Sequence, residues 1–232
     1  MWLVTHDYIM SSKLRVGVLA SGSGTDLQSI IDASEAHRID AEVVLVISDK
    51  KDAYALQRAK KHSISAHFVD PKGKERQAHE QEIDSLLTKA NVELIVEAGY
   101  MRILTSWFVK KWYGKLINIH PALLPSFKGV NGQGDALEYG VKISGCTTHF
   151  TDEEMDHGPI ILQAAVRVHH DDDRESLAAR ILEMEHQILP RTIQLFAQNR
   201  VVLTGRKVSI LPGDTWLDTD GVVSDVLYSE GY

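Results

Sequence analysis

The 232-residue chain has 25 basic and 32 acidic side chains, a formal net charge of −7, and 44% hydrophobic residues. This acidic balance argues against a general surface for nucleic acids or anionic membranes, so we expect small-molecule substrates, no nucleic-acid partner and no membrane partner. The single cysteine, Cys146, cannot form an internal disulfide, and we therefore expect a reduced, cytoplasmic protein.

Short apolar, β-branched runs alternate with helical stretches in the first half of the chain. We predict strands over residues 14–20, 41–48, 65–69, 94–98 and 115–119, with helices over residues 27–36, 52–62 and 74–90. This alternation predicts an α/β fold in which an open, mostly parallel, twisted sheet carries helices on both faces.

The second half of the chain has a different pattern. Two strands are predicted over residues 143–150 and 159–168, separated by an acidic loop and followed by a long helix over residues 174–199. We predict residues 1–12 to be a flexible amino-terminal extension, with Met10 as an alternative start, and residues 13–205 to form the main domain. Residues 206–232 are predicted to form a strand and a tail packed on that domain.

A glycine-rich turn, residues 19–27, joins the first strand to the first helix. Its glycines allow backbone N–H groups to converge on an anion at the helix amino terminus. Because Leu27 stands at the third glycine position and no Gly-Lys-Ser/Thr follows, the turn suits a single phosphate better than a dinucleotide or a Walker ligand. A tight connection without a ligand remains an alternative. We expect Asp26 to cap the helix, since its carboxylate would repel a phosphate.

The sequence Asn118-Ile119-His120-Pro121 gives the clearest chemical signal. Side chains two apart on a strand share a face, so Asn118 and His120 point the same way, and Pro121 ends the strand. Asp156, far downstream, supplies a carboxylate. An amide donor, an imidazole and a carboxylate are the groups needed to transfer a small acyl group, although each residue alone could be a core or solvated side chain.

A second group, residues 169–173, contains two histidines and three aspartates and could be mistaken for a metal site. Consecutive side chains at a strand end diverge, so a solvated helix entry is the better interpretation and no metal is expected.

Four separated segments, residues 21–28, 98–104, 118–129 and 156–163, together resemble the phosphoribosylglycinamide formyltransferase family of formyltetrahydrofolate-dependent enzymes. The resemblance extends from about residue 13 to the end of the long helix. It implies a Rossmann-like formyltransferase fold with a carboxyl-terminal antiparallel extension. It also implies 10-formyltetrahydrofolate as cosubstrate and formyl transfer to the amine of 5'-phosphoribosylglycinamide in purine (IMP) biosynthesis.

The resemblance also implies roles for individual residues. His120 would be the catalytic imidazole, Asn118 an oxyanion donor, and Asp156 the group that keeps His120 protonated and orients a water. The ribonucleotide would contact Gly24, Thr25, Asp26 and Glu185. The folate would contact Arg76, near the formyl-bearing end, and Met101, Arg102, Ile103, Leu104, Asn118, Asp152, Glu153, Glu154, Met155 and Asp156.

Two positions depart from the family pattern. Asp26 stands where the family often has Asn, and Gly132-Gln133 stands where an Ala-His or Thr-His pair is common. The alternatives are a 10-formyltetrahydrofolate hydrolase and a non-catalytic phosphoribosyl-ligand sensor; a methionyl-tRNA formyltransferase is disfavoured because no basic carboxyl-terminal module is present. The oligomeric state is open, with a homodimer as one candidate.

Overall fold

A computed structural model describes residues 13–213 and the backbone of residues 227–228. The predicted extension at residues 1–12, the alternative start at Met10 and most of the predicted tail lie outside the described residues. The strands are β1 Leu14–Leu19, β2 Ala41–Ser48, β3 Ser65–Phe68, β4 Leu94–Glu97, β5 Leu116–His120, β6 Ile143–Phe150, β7 Ile160–Arg167, β8 Val201–Thr204, β9 Lys207–Ile210 and β10 Leu227–Tyr228. The helices are α1 Thr25–Glu35, α2 Tyr54–Lys61, α3 Arg76–Lys89, α4 Ser106–Lys111, α5 Gly132–Tyr139 and α6 Arg174–Ala197.

Eight strands form one sheet in the order β10-β7-β6-β5-β4-β1-β2-β3. The five strands from β3 to β5 are parallel, whereas β6, β7 and β10 continue the sheet as antiparallel strands. The chain order moves outward from β1 in both directions. The amino ends of helices and the carboxyl ends of strands therefore meet near β1, β4 and β5, where ligands bind in open α/β sheets.

Both faces of the sheet are covered, as the alternating pattern predicted. Successive residues of β1 enter different cores: Val18 packs in the core formed with α1, α2 and α6, and Leu19 packs in the core formed with α3 and α4. A strand that is buried on both faces has a continuously hydrophobic sequence, because neither face is exposed to solvent. Over the described residues, no helix is both long and apolar enough to cross a membrane.

Two features of the second half were not predicted. Helix α5 begins at Gly132 after Asn131 and ends before Gly140, whose φ is 80°. Gly132 and Gly134 weaken the helical signal of this short segment, because glycine is a poor helix former. The predicted boundary at residue 205 falls between β8 and β9, which pair as an antiparallel hairpin.

Candidate active site

A cavity of about 380 Å³ opens at the carboxyl ends of β4 and β5. Its walls come from distant parts of the chain. They include Asp26 of α1, Glu185 of α6, and the segments that follow β4, β5 and β6. The cavity therefore brings together most of the residues that the sequence assigned to three separate roles.

Asn118 lies on β5 opposite His149 of the antiparallel strand β6. The His149 Nδ1 atom is 2.9 Å from the Phe150 carbonyl oxygen, which can only accept, so Nδ1 carries a proton. Burial lowers the pKa of His149, so its other nitrogen is a free acceptor for the Asn118 Nδ2 group 3.2 Å away. His149 thus fixes the orientation of the Asn118 amide.

His120 and Asp156 meet across the cavity although they are far apart in the sequence. The Asp156 Oδ2 atom lies 3.4 Å from His120 Nδ1, and His120 Nε2 donates to the Phe127 carbonyl at 2.8 Å. Both neighbours of the ring are acceptors, so a doubly protonated imidazole satisfies both of them. Asp156 is itself held by the Gly129 N–H group, 2.7 Å from Oδ2.

The glycine-rich turn lies beside the cavity and is hydrogen-bonded to the segment after β4. Gly24 has a φ of 69°, and a Cβ atom at this position would lie 2.8 Å from the Ala55 Cβ, so the close approach to α2 requires glycine. The Ser21 hydroxyl donates to Asp49 at 2.6 Å and accepts the Met101 N–H at 2.9 Å. Gly24 and Thr25 do not contribute to the cavity lining, whereas Asp26 does.

The expectation that Asp26 caps helix α1 is wrong. No side-chain capping bond is present at the start of α1, and Asp26 turns into the cavity with Glu185. Its Oδ1 atom has no hydrogen-bond partner in the described part of the chain and lies 3.8 Å from His186 Nε2. Burial raises the pKa of Asp26 to about 6, and burial together with the nearby Asp26 raises the pKa of Glu185 well above its usual range. Two such carboxyl groups favour holding one proton between them.

Most of the residues predicted for the folate line the same cavity. They come from two segments, Met101, Arg102, Ile103 and Leu104 after β4 and Asp152, Glu153, Glu154, Met155 and Asp156 after β6. Met101, Ile103 and Met155 are more than half exposed, which leaves a large apolar surface uncovered. Arg76, the first residue of α3, is exposed and does not line the cavity.

The acidic loop is held by a residue that no sequence pattern singles out. Arg206, at the tip of the β8–β9 hairpin, donates from Nη2 to the His157 carbonyl at 2.6 Å. His157 Nδ1 in turn lies 2.8 Å from Asp152 Oδ2. The hairpin therefore supports the loop that carries Asp156, whose φ of 48° is unusual for a residue with a side chain.

In the described chain, no group of three or more His, Cys, Asp or Glu side chains could hold a metal ion.

Residues 14–193 match the model of the formyl transferase family. The chain is also 43% identical over 190 residues to the phosphoribosylglycinamide formyltransferase of Haemophilus influenzae, covering 82% of this chain and 90% of that protein. It belongs to the phosphoribosylglycinamide formyltransferase family. The crystal structure of glycinamide ribonucleotide transformylase 1 from Symbiobacterium toebii has a TM-score of 0.86 and 45% sequence identity, over 88% of this chain and 97% of that one. The predicted formyltransferase fold is thereby confirmed.

Longer relatives contain the same region as one part of a larger protein. The trifunctional purine biosynthetic protein adenosine-3 of Gallus gallus is 44% identical over 194 residues, which are 83% of this chain but 19% of that protein. The chain therefore spans about a fifth of the length of this trifunctional relative.

Proposed function

We propose that the chain transfers the formyl group of 10-formyltetrahydrofolate to the amine of 5'-phosphoribosylglycinamide. The products are formylglycinamide ribonucleotide and tetrahydrofolate, in the cytoplasmic de novo route to IMP. The printed names of the relatives, phosphoribosylglycinamide formyltransferase and glycinamide ribonucleotide transformylase, support this assignment.

The observation that carries the proposal is the single cavity shared by the two predicted substrate sites. Asp26 and Glu185, predicted for the ribonucleotide, line the same cavity as segment 101–104, predicted for the folate, and as the predicted catalytic pair Asn118 and His120. Holding two reactants in one cavity makes their reaction effectively unimolecular, which can supply roughly 7–11 kcal/mol of the barrier.

In the proposed reaction, the substrate amine attacks the formyl carbon and a new C–N bond forms. Negative charge develops on the formyl oxygen, the bond to the folate nitrogen then breaks, and the proton lost by the amine is returned to that nitrogen. We assign Asn118 and His120 as the donors to this developing charge. In the unliganded geometry their N–H groups face His149, Asp156 and the Phe127 carbonyl, so the formyl oxygen must replace one of these acceptors.

The role of Asp156 in this scheme is electrostatic. Its carboxylate faces the imidazole at 3.4 Å and favours the positively charged ring that donates to the oxyanion. In the proposed scheme Asp156 also orients a water that carries the proton between the amine and the folate nitrogen. No covalent bond to the enzyme is needed, because the nucleophile belongs to the substrate.

Replacement of the central groups tests the proposed chemistry. We expect Asn118→Ala, His120→Ala and Asp156→Asn each to lower kcat by about 100- to 1,000-fold, since each removes a donor or its electrostatic support. Formyl transfer is measured with both substrates present and with each omitted in turn, and thermal unfolding confirms that the variants are folded. A His120→Ala variant that retains most of the activity would contradict the mechanism.

The same assay separates the other functions. A hydrolase releases tetrahydrofolate at the same rate with or without ribonucleotide, whereas the proposed transferase requires it. A non-catalytic sensor binds the phosphoribosyl ligand in calorimetry and releases no tetrahydrofolate. A homodimer remains part of the proposal, and the molar mass in solution measured by light scattering tests it.

A further inference from the structure

Glu97 is a buried acid in the cavity wall. It belongs to neither of the two proposed substrate sites, and the proposed formyl transfer does not involve it. It is the last residue of β4, is 6% exposed and lines the cavity. In the parallel pairing of β4 and β5 it stands next to Asn118. Its carboxyl group is therefore one strand away from Asn118.

The protein meets only part of the hydrogen-bonding capacity of this carboxyl group. The Thr151 hydroxyl donates to Glu97 Oε2 at 2.5 Å. The charged groups acting on Glu97 are Asp156, from the loop after β6, and Glu80, from α3, and both are acidic. Within residues 13–213 no cation pairs with it. A buried carboxyl group without a cation is costly, and a ligand that donates hydrogen bonds would offset that cost.

The rest of the cavity limits what that ligand can be. Met101, Ile103 and Leu104 supply apolar side chains to its lining, and the proposed cosubstrate carries a flat pterin ring. One edge of a pterin has a ring N–H group beside an exocyclic amine, so two parallel donors face outward. A carboxylate has two acceptor oxygens in one plane, which is the geometry that accepts two such donors at once.

We propose that Glu97 is a specificity-determining residue of the folate site and that its carboxylate accepts hydrogen bonds from the N–H edge of the pterin ring. This inference rests on the proposed function, because it takes the folate as the occupant of the cavity. Glu97 selects the pterin ring, whereas Asn118 and His120 act in formyl transfer.

A binding cycle tests this assignment with two probes. Tetrahydrofolate and its analogue with a methyl group in place of the exocyclic amine are titrated by calorimetry into wild type, Glu97→Gln and Glu97→Leu. We expect wild type to prefer tetrahydrofolate by about 10- to 100-fold, since the analogue leaves a charged acceptor unpaired. In both variants the preference for tetrahydrofolate should fall to within about 3-fold. Comparing the two probes in wild type and in each variant removes contributions from other contacts to the exocyclic amine.

Thr151→Val is the matched control, because it removes the protein's hydrogen bond to Glu97 but keeps the carboxyl group. It should retain the wild-type preference. Glu97→Gln preserves the shape of the side chain and keeps the test decisive if Glu97→Leu does not fold. A Glu97→Gln variant with the full wild-type preference, or a wild type that binds both probes equally, would overturn the inference. A wild type that discriminates between the probes but transfers no formyl group would instead overturn the proposed function.

The pH dependence of folate binding provides an independent readout. Burial raises the pKa of Glu97 to about 7, with Asp156 and Glu80 acting in the same direction. The ionised form is the one that accepts two N–H donors, so the affinity of wild type for tetrahydrofolate should rise as the pH increases through about 7. Comparison with Glu97→Gln isolates this contribution, and an identical pH profile in the two proteins would contradict the role of Glu97.

Discussion

Replacement of Asp26 by Asn should make the protein more stable at neutral and alkaline pH. Burial raises the pKa of Asp26 from its ordinary value of 3.8 to about 6, which corresponds to about 3 kcal/mol of unfavourable interaction for the ionised form. The sign follows from linkage. Below about pH 4 the carboxyl group is protonated in both states and costs nothing, and the free energy of unfolding then falls as the pH rises towards 6. Above pH 6 the whole penalty applies.

The figure of about 3 kcal/mol is an upper limit, because Glu185 shares the same proton and its ionisation is coupled to that of Asp26. For a chain of this size, 1 kcal/mol changes Tm by about 2–4 °C, so Asp26→Asn should raise Tm by up to roughly 10 °C at pH 8. The increase should shrink steadily towards pH 4.

Thermal and urea unfolding of wild type, Asp26→Asn and a control variant, Asp32→Asn, measure this effect. The measurements are made at about five pH values between pH 4 and pH 8. Asp32→Asn is the matched control, since Asp32 lies on the same helix but is exposed, and its replacement should change the free energy of unfolding by less than about 0.5 kcal/mol. An Asp26→Asn protein no more stable than wild type at pH 8, or one whose advantage is the same at every pH, would refute the reasoning.

Two further substitutions test the packing around the site. His149→Leu should lower kcat by about 10- to 100-fold with a smaller change in substrate KM, because the Asn118 amide loses the acceptor that orients it; an unchanged kcat would remove this positioning role. Gly24→Ala should destabilise the protein by about 1–3 kcal/mol in urea unfolding, because it places a Cβ in a left-handed backbone conformation and against α2. Gly22→Ala, where a Cβ meets nothing within 4 Å, is the control, and equal stability of the two variants would contradict the steric explanation.

The parts of the fold that depend on local patterns could be predicted from the sequence. Alternating apolar runs predicted the parallel strands, and the spacing of Asn118 and His120 predicted that both would share one face of β5. Helix α5 was missed because two glycines interrupt its pattern. Its formation depends on the surrounding structure rather than on its own propensity.

The contacts of the site that depend on strand pairing could not be predicted. His149 reaches Asn118 only because β6 runs antiparallel to β5 in one particular register, and the sequence around His149 carries no sign of that register. Asp26 was assigned to a helix cap from its position in the chain, but capping says nothing about a cavity formed with α6. From the sequence, Glu97 is only an acid at the end of a short strand. Its surroundings, which are Thr151 and the neighbouring acids, come from distant parts of the chain and are known only from the structure.

Ser21 joins the glycine-rich turn to the segment after β4. Its backbone N–H donates to the Gly99 carbonyl, and its hydroxyl contacts both Asp49 and the Met101 N–H. The glycine-rich turn and the segment after β4 are therefore held together by hydrogen bonds of the folded chain itself. In the proposed reaction, the spacing between the ribonucleotide site and the folate site is thus set when the polypeptide folds and does not depend on the arrival of either reactant.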